Sequence, residues 1–232
     1  MNTIILTGDT HGNFERIAAF CRKFETTPDD IMIILGDVGF NFWGGLKDTI
    51  QKEFASRLPI TLFCIQGNHE QRPEHISSYQ LSTWHGGSVW IEPDYPNIIF
   101  AKDGEIYDFN GQKAIVIGGA YSIDKPYRIA QGFGWWEDEQ PTPAIKKSVE
   151  DRLEKEGWQV DIVLSHTAPK KYEPVETFMS CVDQSTIDKS TEEWLDTIED
   201  RLSYESWFCG HYHINKTVDR FFILFEGYMQ LT

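Results

Sequence analysis

Five short apolar runs, spread along the chain, each end in a polar turn that carries Asp, Asn or His. TIIL leads into GDTHG (Gly8 to Gly12), IMIIL into GDVG (Gly36 to Gly39) and ITLFCI into GNHE (Gly67 to Glu70). Later, DIVLS delivers His166 in SHTAP, and Trp207 to Cys209 leads into GHYH (Gly210 to His213). Runs this short and β-branched read as strands buried on both faces. Between the first three lie segments with helical spacing. Phe14, Ile17, Ala18, Cys21 and Phe24 fall on one face, with Asn13 as the expected N-cap, and Leu46, Ile50 and Phe54 repeat at helical intervals until Pro59. Strands alternating with helices predict a mostly parallel sheet, and such sheets bind ligands beyond the carboxyl ends of their strands. The polar turns therefore converge on one place.

From Trp84 to Gly119 the texture changes to short runs broken by Gly, Pro and Asn: SVWI, NIIF, EIYDF and KAIVIGG. These predict antiparallel strands of a second sheet, with Asn110-Gly111 as a two-residue hairpin turn. Residues 118–143 have no clear period and are rich in Gly, aromatics and mixed charge, as expected of a functional loop or lid. Thr142 and Pro143 then open a helix through Ile145, Val149 and Leu153 that stops at Gly157. Ser190 and Glu193 have the spacing of a capping box ahead of Trp194, Leu195, Ile198 and Leu202, and FFILF closes the sheet.

A chain of 232 residues, 41% hydrophobic, can bury a full core, and we expect one domain over 1–232 with 118–143 as a loop or lid insertion near the site. A formal net charge of -15 argues against a surface that tracks duplex nucleic acid or an anionic membrane. Cys21, Cys64, Cys181 and Cys209 form no CxxC pair and predict reduced thiols. No apolar run approaches the roughly 20 residues of a bilayer span and no charged leader precedes the first strand, so a cytoplasmic location without membrane contact is expected.

Asp9 and His11 sit one residue apart on a turn, where a carboxylate and an imidazole can share one cation. Asp37, Asn68, His166, His211 and His213 occupy the corresponding ends of the other runs. Carboxylate, amide carbonyl and imidazole together are enough for two cations. The five blocks, in this order and over essentially the whole chain, resemble the calcineurin-like metallophosphoesterase superfamily, and GGAYSIDK with the later WWEDE is similar to its small bacterial and phage members. The resemblance implies a four-layer αββα sandwich of two mixed sheets flanked by helices, with a binuclear metal site at the strand ends. It also implies that Asp9, His11 and His213 hold one ion, Asn68, His166 and His211 the other, and that Asp37 bridges them. Mixed ligation of this kind suits Mn, Fe, Zn or Ni better than Mg, with Mn favoured here. Two such ions about 3.5–4 Å apart acidify a shared water, orient phosphorus for in-line attack and stabilise the leaving oxygen.

His69 matches the family's non-ligand histidine, which protonates the leaving alkoxide or hydrogen-bonds the developing charge. One departure stands out. The second block often reads GDxxD, and in some protein phosphatases GDxxDRG, whereas Phe40 occupies the last acidic position here and no Arg follows. The usual carboxylate partner of His69 and a phosphate-gripping arginine are both gone, which argues against a serine/threonine protein phosphatase. Arg72, Lys125 or Arg128 could replace the phosphate contact, and Arg128, in the unusual loop, is favoured. His75 and His85 lie outside every motif and are read as ordinary surface or core groups, Trp135 and Trp136 as anchors of the loop, and Lys170-Lys171 as solvated.

The function this implies is hydrolysis of a small or nucleotide-like phosphodiester or phosphomonoester, with a lean to the diester because both histidines of GHYH are present and the arginine extension is absent. Two alternatives are a nuclease for single-stranded nucleic acid, which the net charge does not encourage, and a non-catalytic scaffold, which would have lost ligands that this chain retains. Neither the physiological substrate nor the oligomeric state is legible.

Overall fold

A computed structural model describes residues 2–231. In chain order the first half comprises β1 (Ile4–Thr7), α1 (Phe14–Phe24), β2 (Ile31–Ile34), α2 (Leu46–Ala55), β3 (Thr61–Cys64), β4 (Gln80–Trp84), β5 (Gly87–Ile91) and β6 (Ile98–Ala101). The second half comprises β7 (Ile106–Phe109), β8 (Gln112–Ile117), α3 (Lys125–Gln131), α4 (Pro143–Lys155), β9 (Ile162–Ser165), α5 (Ser190–Glu199), β10 (Ser206–Cys209), β11 (Lys216–Val218), β12 (Phe221–Ile223) and β13 (Tyr228–Gln230). The strands form two mixed sheets, ordered β13-β1-β2-β3-β6-β5-β4 and β11-β12-β10-β9-β8-β7.

The sheets pack face to face. Because side chains alternate along a strand, Ile4, Leu6, Ile31, Ile33 and Phe63 of the first sheet meet Val116, Ile162, Leu164 and Phe208 of the second. The opposite faces are covered by helices: Phe14, Ile17 and Cys21 of α1 pack on Ile5, Met32 and Leu62, while Val149 and Leu153 of α4 and Leu195 and Ile198 of α5 pack on Ile115, Val163 and Trp207. The result is helix, sheet, sheet, helix. β1, β2 and β3 run parallel in one sheet and β8, β9 and β10 in the other. Among the described residues no helix is long and apolar enough to cross a membrane.

Several expectations change in the structure. β4, β5 and β6 extend the first sheet rather than forming the second, and β6 pairs parallel with β3. Only the Asn110-Gly111 hairpin of that region, β7 with β8, joins the second sheet. FFILF does not end a sheet, since β11 pairs outside β12 and β13 crosses to the edge of the first sheet beside β1. The loop 118–143 contains α3.

Helix α2 turns the other way from its apolar pattern. Leu46, Ile50 and Phe54 are exposed, whereas Asp48, Lys52 and Ala55 are buried. Polar pairing decides the face: Asp48 accepts the N–H groups of Trp43 and Gly44, and Lys52 pairs with Glu92 in a buried contact beside the Tyr79 ring. Phe24, at the end of α1, is likewise exposed, and Asn13 makes no side-chain cap. The Ser190 capping box does not form either. Asp188 accepts the Ser190 N–H at 2.9 Å, and Glu193 turns outward to Lys170 at 2.7 Å. The Thr142 cap does form, with Oγ1 accepting the Ile145 N–H.

Candidate metal centre and adjoining cavity

Strands of four residues end too abruptly for a gradual turn, and the side chains that leave them sit on strained backbone. His11, Asp37, His211 and His213 adopt φ of 46°, 47°, 68° and 52°, in the left-handed region that non-glycine residues seldom occupy. Each such residue costs of order 1 kcal/mol and persists where surrounding contacts fix it. Here the turns hold one another: Asp37 C=O accepts the His11 N–H at 2.8 Å, Val38 C=O the Gly12 N–H at 2.9 Å, and His166 C=O the Gly210 N–H at 3.0 Å. Gly36, at φ 95°, leaves room for an imidazole, since a Cβ there would meet His166 Nδ1 at 2.1 Å.

The strain brings seven side chains from five turns into one cluster. His11 Nε2 and His213 Nε2 lie 2.9 Å apart, at 3.7 and 3.1 Å from Asp9 Oδ2. On the other side, Asn68 Oδ1 lies 2.8 Å from His166 Nε2 and 3.1 Å from His211 Nδ1. Asp37 stands between, with Oδ1 3.6 Å from His166 Nε2 and Oδ2 4.0 Å from His11 Nε2. Asp9, His11 and His213, and again Asp9, Asp37 and His166, are close enough to share an ion.

The donor chemistry fits cations. His166 Nδ1 is 2.7 Å from the Leu35 carbonyl, which only accepts, so Nδ1 carries a proton, and in the tautomer this selects Nε2 presents a lone pair. Asn68 Nδ2 donates to Ser122 Oγ at 2.9 Å, which fixes the amide with its oxygen toward that lone pair. Two acceptors then face each other at 2.8 Å, an arrangement that a cation between or beside them relieves. Asp9 repeats the logic: Oδ1 accepts the His211 N–H at 2.8 Å, while buried Oδ2 approaches His213 without a hydrogen bond.

Titration follows the same geometry. Burial would raise Asp37, yet the imidazoles of His166, His69 and His11 hold its carboxyl well below the usual range. Burial, with His166 next to it, pushes His211 down to about 3, and burial also lowers His11. Contact with the Asp9 carboxylate raises His213 against its own burial. Neutral imidazoles beside ionised carboxylates are the forms that ligate divalent metals.

His69 lies beside the cluster, its ring 5.5 Å from that of His11, and its backbone N–H donates to Asp37 Oδ1 at 2.8 Å. Phe40, where an acid would sit, is fully buried and stacks on Phe14 at 4.6 Å. The carboxylate near His69 comes from elsewhere: Asp124 Oδ1 is 3.9 Å from Nε2. The three basic residues considered for a phosphate contact are engaged otherwise. Arg128 is 2% exposed, and its guanidinium donates to the Gly134 carbonyl, Ser122 Oγ and the Asn68 carbonyl. Arg72 pairs with Asp103 at 2.6 Å, and Lys125 Nζ lies 4.3 Å from the centre of the Trp135 ring.

A cavity of about 490 Å³ opens from Asn68, His69, His211 and His213. Its far wall is the stretch 173–189, which gave no sequence signal because it lacks any period, together with Glu192 of α5. Glu70 also escaped notice, although an acid in an otherwise uncharged turn was the available clue. Fully buried, it accepts the Gly67 N–H at 2.8 Å and the Val38 N–H at 3.0 Å, tying two ligand turns together.

A sequence profile described as calcineurin-like phosphoesterase matches residues 3–215. No curated protein matches the chain significantly in sequence. Among solved structures, TT1561 of Thermus thermophilus is similar at 13% identity and a TM-score of 0.52, over 97% of this chain and 88% of that one. Phosphopantetheinyl hydrolase from Mycobacterium tuberculosis is similar at 17% identity and a TM-score of 0.46, over 97% and 89%. The likeness to TT1561 is one of fold.

Proposed function

We propose a reaction for this site from one premise: the chain belongs to the calcineurin-like phosphoesterase family. The family is binuclear-metal dependent, and the chain is a metal-dependent phosphoester hydrolase. In our reading, Asp9, His11 and His213 hold one divalent ion, Asn68, His166 and His211 the other, and Asp37 reaches both, with Mn favoured over Fe, Zn or Ni. The observation that carries this is the set of acceptor atoms turned on one another, above all His166 Nε2 against Asn68 Oδ1. When bound, the two ions supply Lewis acidity toward a phosphoryl oxygen and water acidified to near neutral pH.

The chain's own residues do the rest. His69 lines the cavity, its backbone N–H tied to Asp37 and its ring Nε2 3.9 Å from Asp124 Oδ1. A water that gives up a proton to solvent bonds its oxygen to phosphorus in line with the departing oxygen, the ester P–O bond breaks, and the protonated form of the His69 ring gives its proton to the leaving oxygen and regains one from solvent. The products are an alcohol and a phosphate with one ester fewer. A diester is the favoured substrate. It carries one negative charge, whereas a monoester carries nearly two at pH 7, and Arg72, Lys125 and Arg128 all have other partners and do not line the cavity. With its cysteines unpaired, the protein is read as working in a reducing, cytoplasmic setting.

Purified protein loaded with Mn and assayed on bis-p-nitrophenyl phosphate and p-nitrophenyl phosphate tests the reading. Faster turnover of the diester, lost on chelation, is expected. Absence of hydrolysis with any of the four metals would refute it.

A further inference from the structure

The wall of the cavity facing the ligand cluster is apolar. Phe178, Met179, Val182 and Ile187 line it, with Ile123 from the loop before α3. Met179 is 52% exposed and Ile123 45%, so large apolar groups stand open to water beside the candidate site, where a bound organic group would cover them. A volume of about 490 Å³ is far more than a phosphate alone occupies and lies within the range of small-molecule sites.

Acids outnumber bases in the same cavity. Glu173, Asp124 and Glu192 line it, and Lys189 is the single lysine or arginine among the described lining residues. That lysine is not free. Its Nζ lies 2.9 and 2.8 Å from the two oxygens of Glu173 and 4.7 Å from the centre of the Phe178 ring, so it braces the wall. A second phosphate or a carboxylate on the substrate would find acids and no available cation. Glu192 adds a separate clue. It is 4% exposed, Thr167 donates to its Oε1 at 2.8 Å, and its Oε2 has no partner. In its ionised form the carboxylate accepts a hydroxyl or amide N–H at that oxygen, and a phosphate oxygen brings no donor to it.

We infer that the site takes phosphoesters with a single phosphate on an uncharged, largely apolar group that carries a hydrogen-bond donor, and discriminates against nucleoside di- and triphosphates and other esters with a second anionic group. The inference rests on the hydrolase reading and names its substrate class. Ile123, Phe178, Met179 and Ile187 determine the preference through contact, and Glu192 receives the donor.

Binding and turnover separate the two readings. Calorimetry on the full chain loaded with Mn compares phenylphosphonate, propylphosphonate, 3-hydroxypropylphosphonate and 2-carboxyethylphosphonate, which share one anionic head. The phenyl and hydroxypropyl compounds are expected to bind at least about tenfold more tightly than the carboxyethyl compound. Ile187→Lys, or Met179→Lys at a more exposed position, is expected to shrink or reverse that ratio. Glu192→Gln is expected to remove the advantage of hydroxypropyl over propyl. Equal affinity for the phenyl and carboxyethyl compounds overturns the inference, even if bis-p-nitrophenyl phosphate is hydrolysed. Selective binding of the phenyl compound without any hydrolysis sustains the inference about the cavity and overturns the hydrolase reading.

Discussion

Asp124 Oδ1 lies 3.9 Å from His69 Nε2 and 3.8 Å from Arg128 Nη1, placing a carboxylate from the 118–143 loop beside the histidine that follows Asn68. That oxygen is buried and makes no hydrogen bond in this arrangement. Phe40, at the position of the family's second-block acid, is turned into the core and supplies no carboxylate. A small ring rotation would let His69 donate to it, which fixes the ring for proton transfer.

Asp124→Asn is therefore expected to lower kcat by about tenfold for diesters with poor leaving groups, with little change for p-nitrophenolate and in KM. A Brønsted series of aryl esters reads this directly. An equal loss across the series would mean that Asp124 does not act through His69.

Ser122 accepts from Asn68 Nδ2 and Arg128 Nη1, both at 2.9 Å, so the loop sets which way the Asn68 amide faces. Ser122→Ala is expected to weaken the ion on Asn68, His166 and His211 by roughly 10–100-fold, the usual effect of losing a group that orients a ligand. The ion on Asp9, His11 and His213 should be affected far less. Stepwise metal titration distinguishes the two.

Glu70 anchors the GDVG and GNHE turns through the Val38 and Gly67 N–H groups. Glu70→Ala leaves both donors buried without partners and is expected to cost roughly 2–5 kcal/mol in urea unfolding. Glu70→Gln keeps one acceptor and should cost less. A loss below about 1 kcal/mol for the alanine variant would contradict this assignment.

Burial pushes the Glu192 carboxyl up to about 7 from an ordinary value of 4.5. Folding therefore takes up a proton between those values. The stabilisation from the protonated acid is complete below pH 4.5 and disappears as pH rises through about 7. In chelator-treated protein, wild type should lose roughly 1–3 kcal/mol relative to Glu192→Gln between pH 5 and 8. Parallel stability curves would show that Glu192 does not titrate in this range.

The strand-end motifs were legible because their chemistry and local geometry coincide: a short apolar run, a tight turn and a ligand type occupy the same few residues. Helices α1 and α4 were legible for a similar reason, since Phe14, Ile17 and Cys21, and Val149 and Leu153, repeat at helical intervals on buried faces. The face of α2 was not. A buried Lys52–Glu92 pair and the Asp48 contacts outweigh the apolar stripe of Leu46, Ile50 and Phe54, and Glu92 lies on a different part of the chain. Long-range partners also explain why the sequence pointed to Arg128 as a phosphate contact. A basic residue in an irregular loop has the same appearance whether or not its guanidinium is bound by protein groups, as Arg128 is by the Gly134 carbonyl and Ser122. The cavity wall was hidden because Phe178, Met179, Val182 and Ile187 follow no strand or helix period.

The most direct test of the metal centre is a titration of chelator-stripped protein with Mn, reading bound metal and bis-p-nitrophenyl phosphate hydrolysis on the same samples, for wild type and Asp37→Ala. Two equivalents per chain are expected for wild type, with activity rising as the second binds, and a loss of at least one tight equivalent and of activity for the variant. Hydrolysis that persists in metal-free protein, or a wild type that takes up no more than trace metal, would contradict the account.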